Sequence, residues 1–222
     1  VLKDDDPVDY WNLKRQGIER IIDAPIYHDG KIIGYLGADN YEKSDMINTV
    51  AILETVSYFI SSKITNHRLM VELEHASRHD ALTGLHNRNA CMEKIDFLTK
   101  YSSSVGSVYA DVNGLKEIND TLGHQAGDAA LRQAARLLTK CYGLENTYRI
   151  GGDEFLVLVP LVTELDFKTS VCRLRELVAG KADLSIAIGS EWVADTAHLE
   201  RVITKTDERM YCDKVEYYNR RG

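Results

Sequence analysis

The chain has 222 residues, 44% of them hydrophobic and 27% charged, with a formal charge of −7 at pH 7. This is the balance of a soluble globular protein with an ordinary core, and its acidity argues against a protein that coats a nucleic acid polymer. Cys91, Cys141, Cys172 and Cys212 stand far apart with no C-x-x-C pair, so neither a zinc site nor a disulfide framework is expected, and reduced thiols suit a cytoplasmic location. No apolar run is long enough for a bilayer, and no signal peptide is evident. The chain begins at Val1 rather than Met, as a fragment of a longer protein does.

Three zones are expected: 1–45, 46–77 and 78–222. In the first, Ile21-Ile22-Asp23-Ala24-Pro25-Ile26-Tyr27 reads as a strand, and Ile32 to Asn40 as its return. Asp29-Gly30 between them supplies the positive φ of a tight hairpin turn. The hairpin resembles the late part of GAF sensory domains, where a "P-x-x-x-x-G-x-x-I-G-x-L-G-x-D-N" pattern is common. The alternative is a hairpin that only packs on a neighbour, and the zone is short for a whole ligand pocket. The second zone has no Pro or Gly, so one long helix is expected. Val50, Leu53, Ser57, Ile60, Ile64, His67 and Val71 form a loose heptad. Ile52, Val56, Phe59, Met70 and Leu73 form a second stripe. Either a parallel dimer seam or a helix packed on its own domain accounts for them, the dimer being favoured.

The third zone alternates strands and helices. Val105–Asp111, Thr147–Ile150, Phe155–Val159 and Leu184–Gly189 read as strands. Asp128–Tyr142, Leu165–Val178 and Leu199–Lys214 read as helices. The order is that of an α+β domain with helices on a mainly antiparallel sheet.

The residues with chemical potential cluster at strand ends. Gly151-Gly152 makes a bare hairpin turn that a ligand can approach closely. Asp153 and Glu154 follow it and, by strand alternation, point to opposite faces. Alone, the tetrapeptide suits a polar turn with solvated acids at least as well as a site. Asp111 ends an apolar strand; if that strand lies beside the hairpin, Asp111 and Asp153 converge as hard oxygen ligands of the kind magnesium takes. Asn119 alone reads as a turn residue, and Asp128 alone as the cap of the helix after it.

Together these segments resemble the GGDEF family of diguanylate cyclases. Arg149-Ile150-Gly151-Gly152-Asp153-Glu154-Phe155 carries the namesake motif. Before it, Asp111-Val112-Asn113-Gly114-Leu115-Lys116-Glu117-Ile118-Asn119-Asp120, Gly123-His124, Gly127-Asp128 and Leu131 match "D-x-D-x-x-K-x-I-N-D-x-x-G-H-x-x-G-D-x-x-L". Asp80-Ala81-Leu82-Thr83-Gly84-Leu85-His86-Asn87-Arg88 matches the opening "D-x-L-T-G-L-x-N-R". Ser185 to Gly189 and Asp207 to Lys214 match the late strand and the final "D-x-x-M-Y-x-x-K" helix. Several motifs in order confirm one another's context.

The resemblance implies a palm fold like that of nucleotidyl cyclases, and an enzyme that condenses two GTP into cyclic di-GMP and two pyrophosphates as a homodimer. The alternative is a non-catalytic GTP-binding or regulatory module. It implies Mg²⁺ or Mn²⁺ on Asp111, the Val112 carbonyl, Asp153 and Glu154, with Asp153, Glu154 and Lys116 as the catalytic set. Asn119 and Asp128 are implied guanine readers, Gly152 a substrate contact, and Lys116 and Lys214 phosphate contacts. His124 falls near the same pocket or serves only the turn. Two departures stand out. Tyr142-Gly143-Leu144-Glu145 replaces the family's inhibitory "R-x-x-D". Tyr218 replaces an arginine four residues after Lys214, with Arg220 and Arg221 nearby.

Overall fold

The computed structural model describes residues 7–41, 48–101 and 103–220, which form two compact units divided at Leu73 and Glu74. The expected start of the connecting helix at 46, and Arg221, lie outside the described residues.

The first unit holds helix α1 (Pro7–Arg15), which the sequence reading did not anticipate, and the antiparallel hairpin of β1 (Ile21–His28) and β2 (Lys31–Asp39). Asp29 and Gly30 turn it with φ of 48° and 72°, the left-handed pair that matches strand twist. Helix α2 (Thr49–Arg78) begins in this unit and its last turn belongs to the next. Within the first unit it covers the edge of β1. The Ser57 hydroxyl donates to the Pro25 carbonyl at 2.5 Å, and Ser61 Oγ accepts from the Tyr27 N–H at 3.0 Å. Leu53, Ile60 and Ile64 on the same side are half-buried. The central part of the heptad stripe is therefore spent on the hairpin. The stripe of Ile52, Val56, Phe59, Met70 and Leu73 is the exposed one.

The second unit is an α+β sandwich. Its sheet runs β4-β5-β3-β6 with every pair antiparallel. The strands are β3 (Val105–Val112), β4 (Thr147–Arg149), β5 (Glu154–Pro160) and β6 (Ile186–Val193). The helices are α3 (Arg88–Tyr101), α4 (Leu115–Leu122), α5 (His124–Tyr142), α6 (Glu164–Ala179) and α7 (Leu199–Asn219). Alternation along β3 splits the interior. Val108, Ala110 and Val112 pack with Leu131, Leu138 and Leu174 of α5 and α6. Val105, with Leu156 and Leu158 of β5, packs with Ile95, Leu98 and Leu199 of α3 and α7. Two glycines let helices approach: a Cβ on Gly106 meets the Phe167 ring, and one on Gly189 meets the backbone of Thr206 and Met210. The second contact seats α7 directly on β6, which places Lys214, one turn past Met210, over the end of β3.

Three helices of this unit differ from the sequence reading, the first being α3, which was not anticipated. The segment 115–122 is helical, so Asn119 is a helix residue and not a turn. Helix α5 starts at His124, capped by Gly123 at φ 83°, so Asp128 lies in its second turn and is not a cap. Gly123 makes the break, and Gly127 sits inside the helix.

Candidate active site

The site forms where β3 ends against the β4–β5 turn. Asp111 pairs with Glu154 across one edge and with Ala187 across the other. The Val112 N–H donates to the Asp153 carbonyl at 3.1 Å, which locks the turn to the strand end. Arg149 holds the turn from behind. It donates to both oxygens of Asp80, at 2.9 and 3.1 Å, and to the Gly152 carbonyl at 2.7 Å. Asp80 also accepts from the Thr83 N–H and hydroxyl, at 2.8 and 2.6 Å. Burial opposes ionisation of Asp80, but the hydrogen bonds from Thr83 and Arg149 outweigh it and hold its carboxyl below the ordinary value. This clamp was not anticipated; its two halves lie in separate motifs.

Asp111 is buried, and both its oxygens lie near the Lys214 ammonium, Oδ1 at 2.7 Å and Oδ2 at 2.8 Å. Only Oδ2 is well aligned for a hydrogen bond; Oδ1 is buried and has none. Burial, reinforced by the charges of Asp153 and Glu154 and resisted by Lys214, pushes the Asp111 carboxyl up. Burial would pull Lys214 down, but its hydrogen bond to Asp111 and the acids around it push it up. Asp111 and Asp153 thus act on one ammonium, with Glu154 adding its charge at Asp111, an arrangement short of positive charge. Glu154 folds over Gly151 and meets the Tyr109 hydroxyl, whose pKa is raised by burial and by that charge.

Asp153, Val112, Lys116, Lys214 and Tyr218 line one cavity of about 480 Å³. Glu117 and Asp120 add two further acids to its wall. Gly114, in the left-handed conformation at φ 68°, precedes α4 without a side-chain capping hydrogen bond, and Gly114, Leu115, Lys116 and Glu117 line this cavity. Three residues along α4 from Lys116, about 4.5 Å of rise, Asn119 lies against Gly127: a Cβ there runs into the Asn119 carboxamide. Asn119 therefore lies beside the residue that precedes Asp128. Asp128 is half-exposed, 3.7 Å from Arg132. His124 is exposed at the first position of α5, and Gly152 is exposed in the turn. Among the described residues, no three His, Cys, Asp or Glu side chains converge tightly enough to hold an ion unaided.

The departures also have places. Tyr142 is buried in the core, and burial pushes its phenol up to about 12, so it brings no charge to the surface. Tyr218 Oη accepts a hydrogen bond from the Gly114 N–H at 3.2 Å.

The chain belongs to the GGDEF family: the model described as "Diguanylate cyclase, GGDEF domain" matches residues 77–220. It is similar to the diguanylate cyclase DgcM of Escherichia coli (strain K12), with 30% identity over 164 residues, 69% of this chain and 40% of DgcM. It is also similar to the uncharacterized protein YtrP of Bacillus subtilis (strain 168), with 26% identity over 212 residues, 93% of this chain and 37% of YtrP. The crystal structure of the coiled coil and GGDEF domain of DgcB from Caulobacter crescentus, in complex with c-di-GMP, has the same fold. Its TM-score is 0.66 over 74% of this chain and 95% of that one, at 20% identity. The chain spans well under half the length of the two curated relatives. Among the described residues, no helix is long and apolar enough to cross a membrane.

Proposed function

We propose that residues 78–222 are a diguanylate cyclase domain that joins two GTP molecules into cyclic di-GMP and releases two pyrophosphates. The observation that carries the reading is the meeting of Asp111, Asp153, Lys116 and Lys214 at the uncapped start of α4. Each 3′-hydroxyl attacks the α-phosphate of the other GTP, its proton leaves, and the bond to pyrophosphate breaks; two such steps close the ring. One chain offers one nucleotide site, so the reaction needs two chains face to face. The GTP substrate suits a cytoplasmic domain.

The residues present fit a divalent ion. Asp111 has a buried oxygen without a hydrogen bond, and the charges of Asp153 and Glu154 act on it; these carboxylates and the Val112 carbonyl are hard oxygen donors of the kind such an ion takes. Bound there, Mg²⁺ or Mn²⁺ lowers the pKa of the attacking hydroxyl and neutralises phosphate charge. Lys116, Lys214 and the N–H groups of α4 orient the triphosphate and meet charge that builds on the departing pyrophosphate. Asp128 accepts from the N1–H and N2–H of guanine, and Asn119 holds the base beside it. Adenine leaves those acceptors unpaired, which is the more selective way to read a base.

Residues 46–77 are read as the connecting helix, and the hairpin before it as the tail of a GAF-like sensory domain. The packing of the hairpin on α2 fits that reading and a hairpin that only packs on a neighbour equally. With Tyr142 buried, product control at the Tyr142–Glu145 position is weak, and control passes instead through the helix. The test of the function is incubation with GTP and Mg²⁺, followed by chromatography of the nucleotides. Cyclic di-GMP from the unaltered chain, and no cyclic dinucleotide when ATP replaces GTP, supports the reading; GTP recovered intact from a dimeric preparation refutes it.

A further inference from the structure

Tyr218 lies one turn beyond Lys214 on α7, on the same helix face. Its oxygen accepts from the Gly114 N–H at 3.2 Å, and its side chain lines the cavity that holds Lys116, Asp153 and Lys214. A phenol accepts and donates at once. With the oxygen engaged by Gly114, the O–H remains to serve a second partner on the cavity side.

The charge around it says which partner. Lys116 and Lys214 are the cavity's cations among the described residues, and Lys214 is already shared with Asp111. Glu117, Asp120 and Asp153 outnumber them. A polyphosphate held here depends on neutral donors more than it would in a basic pocket.

We propose that Tyr218 is a phosphate-positioning residue, passing a hydrogen bond from the Gly114 N–H through its own O–H to a polyphosphate oxygen of the bound nucleotide. The inference rests on the proposed GTP site and deepens it by naming the donor that holds the phosphate tail. Donors in series polarise one another, so the hydroxyl gives more than an isolated phenol does. It also fixes α7 to the start of α4, so the two elements that carry the lysines stay in register.

The test is calorimetric titration of inorganic tripolyphosphate and of non-hydrolysable GTP and ATP analogues, each with Mg²⁺, into the chain and into Tyr218→Phe. Tyr218 is 47% exposed, so the variant keeps its ring and its fold, which a urea midpoint checks. Removing one hydrogen bond to a charged group should weaken tripolyphosphate and the GTP analogue by about tenfold or more. The ratio should persist at high salt, because the lost donor is neutral. Tyr218→Arg should recover binding by donating directly to phosphate. Equal or tighter binding by Tyr218→Phe overturns the proposal, as does failure of the unaltered chain to bind tripolyphosphate. A loss matched by a fall in the urea midpoint and not recovered by Tyr218→Arg overturns it too, since the role is then structural. If tripolyphosphate binding depends on Tyr218 while GTP and ATP analogues bind alike, the positioning role stands and the guanine assignment fails.

Discussion

From residue 74 onward a four-stranded sheet is covered on both faces, and nearly every large apolar side chain of its strands is buried. Before that point only Ala24 and Ser57 are buried among the described residues, while Trp11, Tyr35, Phe59 and Met70 are exposed. A two-stranded hairpin does not bury enough to stand alone. Its shape here comes from local devices: a left-handed Asp-Gly turn and two serine hydroxyls on a strand edge. In the second unit, by contrast, packing sets the positions of chemical groups. Lys214 reaches Asp111 because Gly189 lets α7 lie on β6. A change in the second region should thus spread to the site, and a change in the first should stay local.

The largest effect is expected at the site itself. Asp153→Ala should bring cyclic di-GMP formation to background while leaving the urea midpoint within about 0.5 kcal/mol of the parent, as surface changes do. A large loss of stability would mean that Asp153 is a fold residue. Gly189→Val should damage both. Overpacking costs about 1–3 kcal/mol, and displacing α7 takes Lys214 from Asp111, so melting and turnover should fall together. Intact activity in this variant would break the link between helix seating and catalysis.

Asp128→Ala should weaken GTP binding by about tenfold or more, the worth of hydrogen bonds to a charged group, and relax discrimination against ATP without loss of stability. Unchanged affinity and selectivity in a titration with both analogues would remove Asp128 from the guanine site. A smaller effect belongs to Asp80. Its folded pKa lies below the unfolded value of about 3.8, so its contribution is fully present above that value and is lost as the pH falls below it. Asp80→Asn should lower the urea midpoint at neutral pH, and the difference from the parent should close in acid. A gap independent of pH would mean that shape, not charge, holds the clamp. Last, Ser57→Ala should cost about 1 kcal/mol and speed hydrogen exchange in β1 while the amides of β3 stay protected.

Much of the second unit was legible because its signals are local. The Gly151-Gly152 turn, the apolar run of β3 and the amphipathic face of α5 each fall within a few residues. Helix α4 was not legible, since eight residues that include Asn119 and Asp120 look like a turn until Lys116 and Ile118 find opposite surroundings. The start of α5 was placed at Asp128 because that residue reads as a cap, whereas the helix begins at His124 and Gly127 within it admits the Asn119 side chain. The Asp80–Arg149 clamp and the Tyr218–Gly114 hydrogen bond join residues 69 and 104 positions apart, and no periodicity reports such pairs. Helix α2 was seen as a helix, but its heptad does not say which stripe is spent within the chain. Only the bonds of Ser57 and Ser61 to β1 settle that the hairpin takes part of it.

The central claim is that each chain supplies one GTP site and that two chains must face each other for the ring to close. The measurement that tests it most directly is the rate of cyclic di-GMP formation per chain over a dilution series in Mg²⁺, with the mass of the particle followed in parallel. The account predicts that the rate per chain falls as dimers dissociate, and that chelation of the metal abolishes it. Cyclic di-GMP formed at the same rate per chain by monomers would contradict the two-chain site. No cyclic product at any concentration, with GTP bound, would make the chain a GTP-binding module instead.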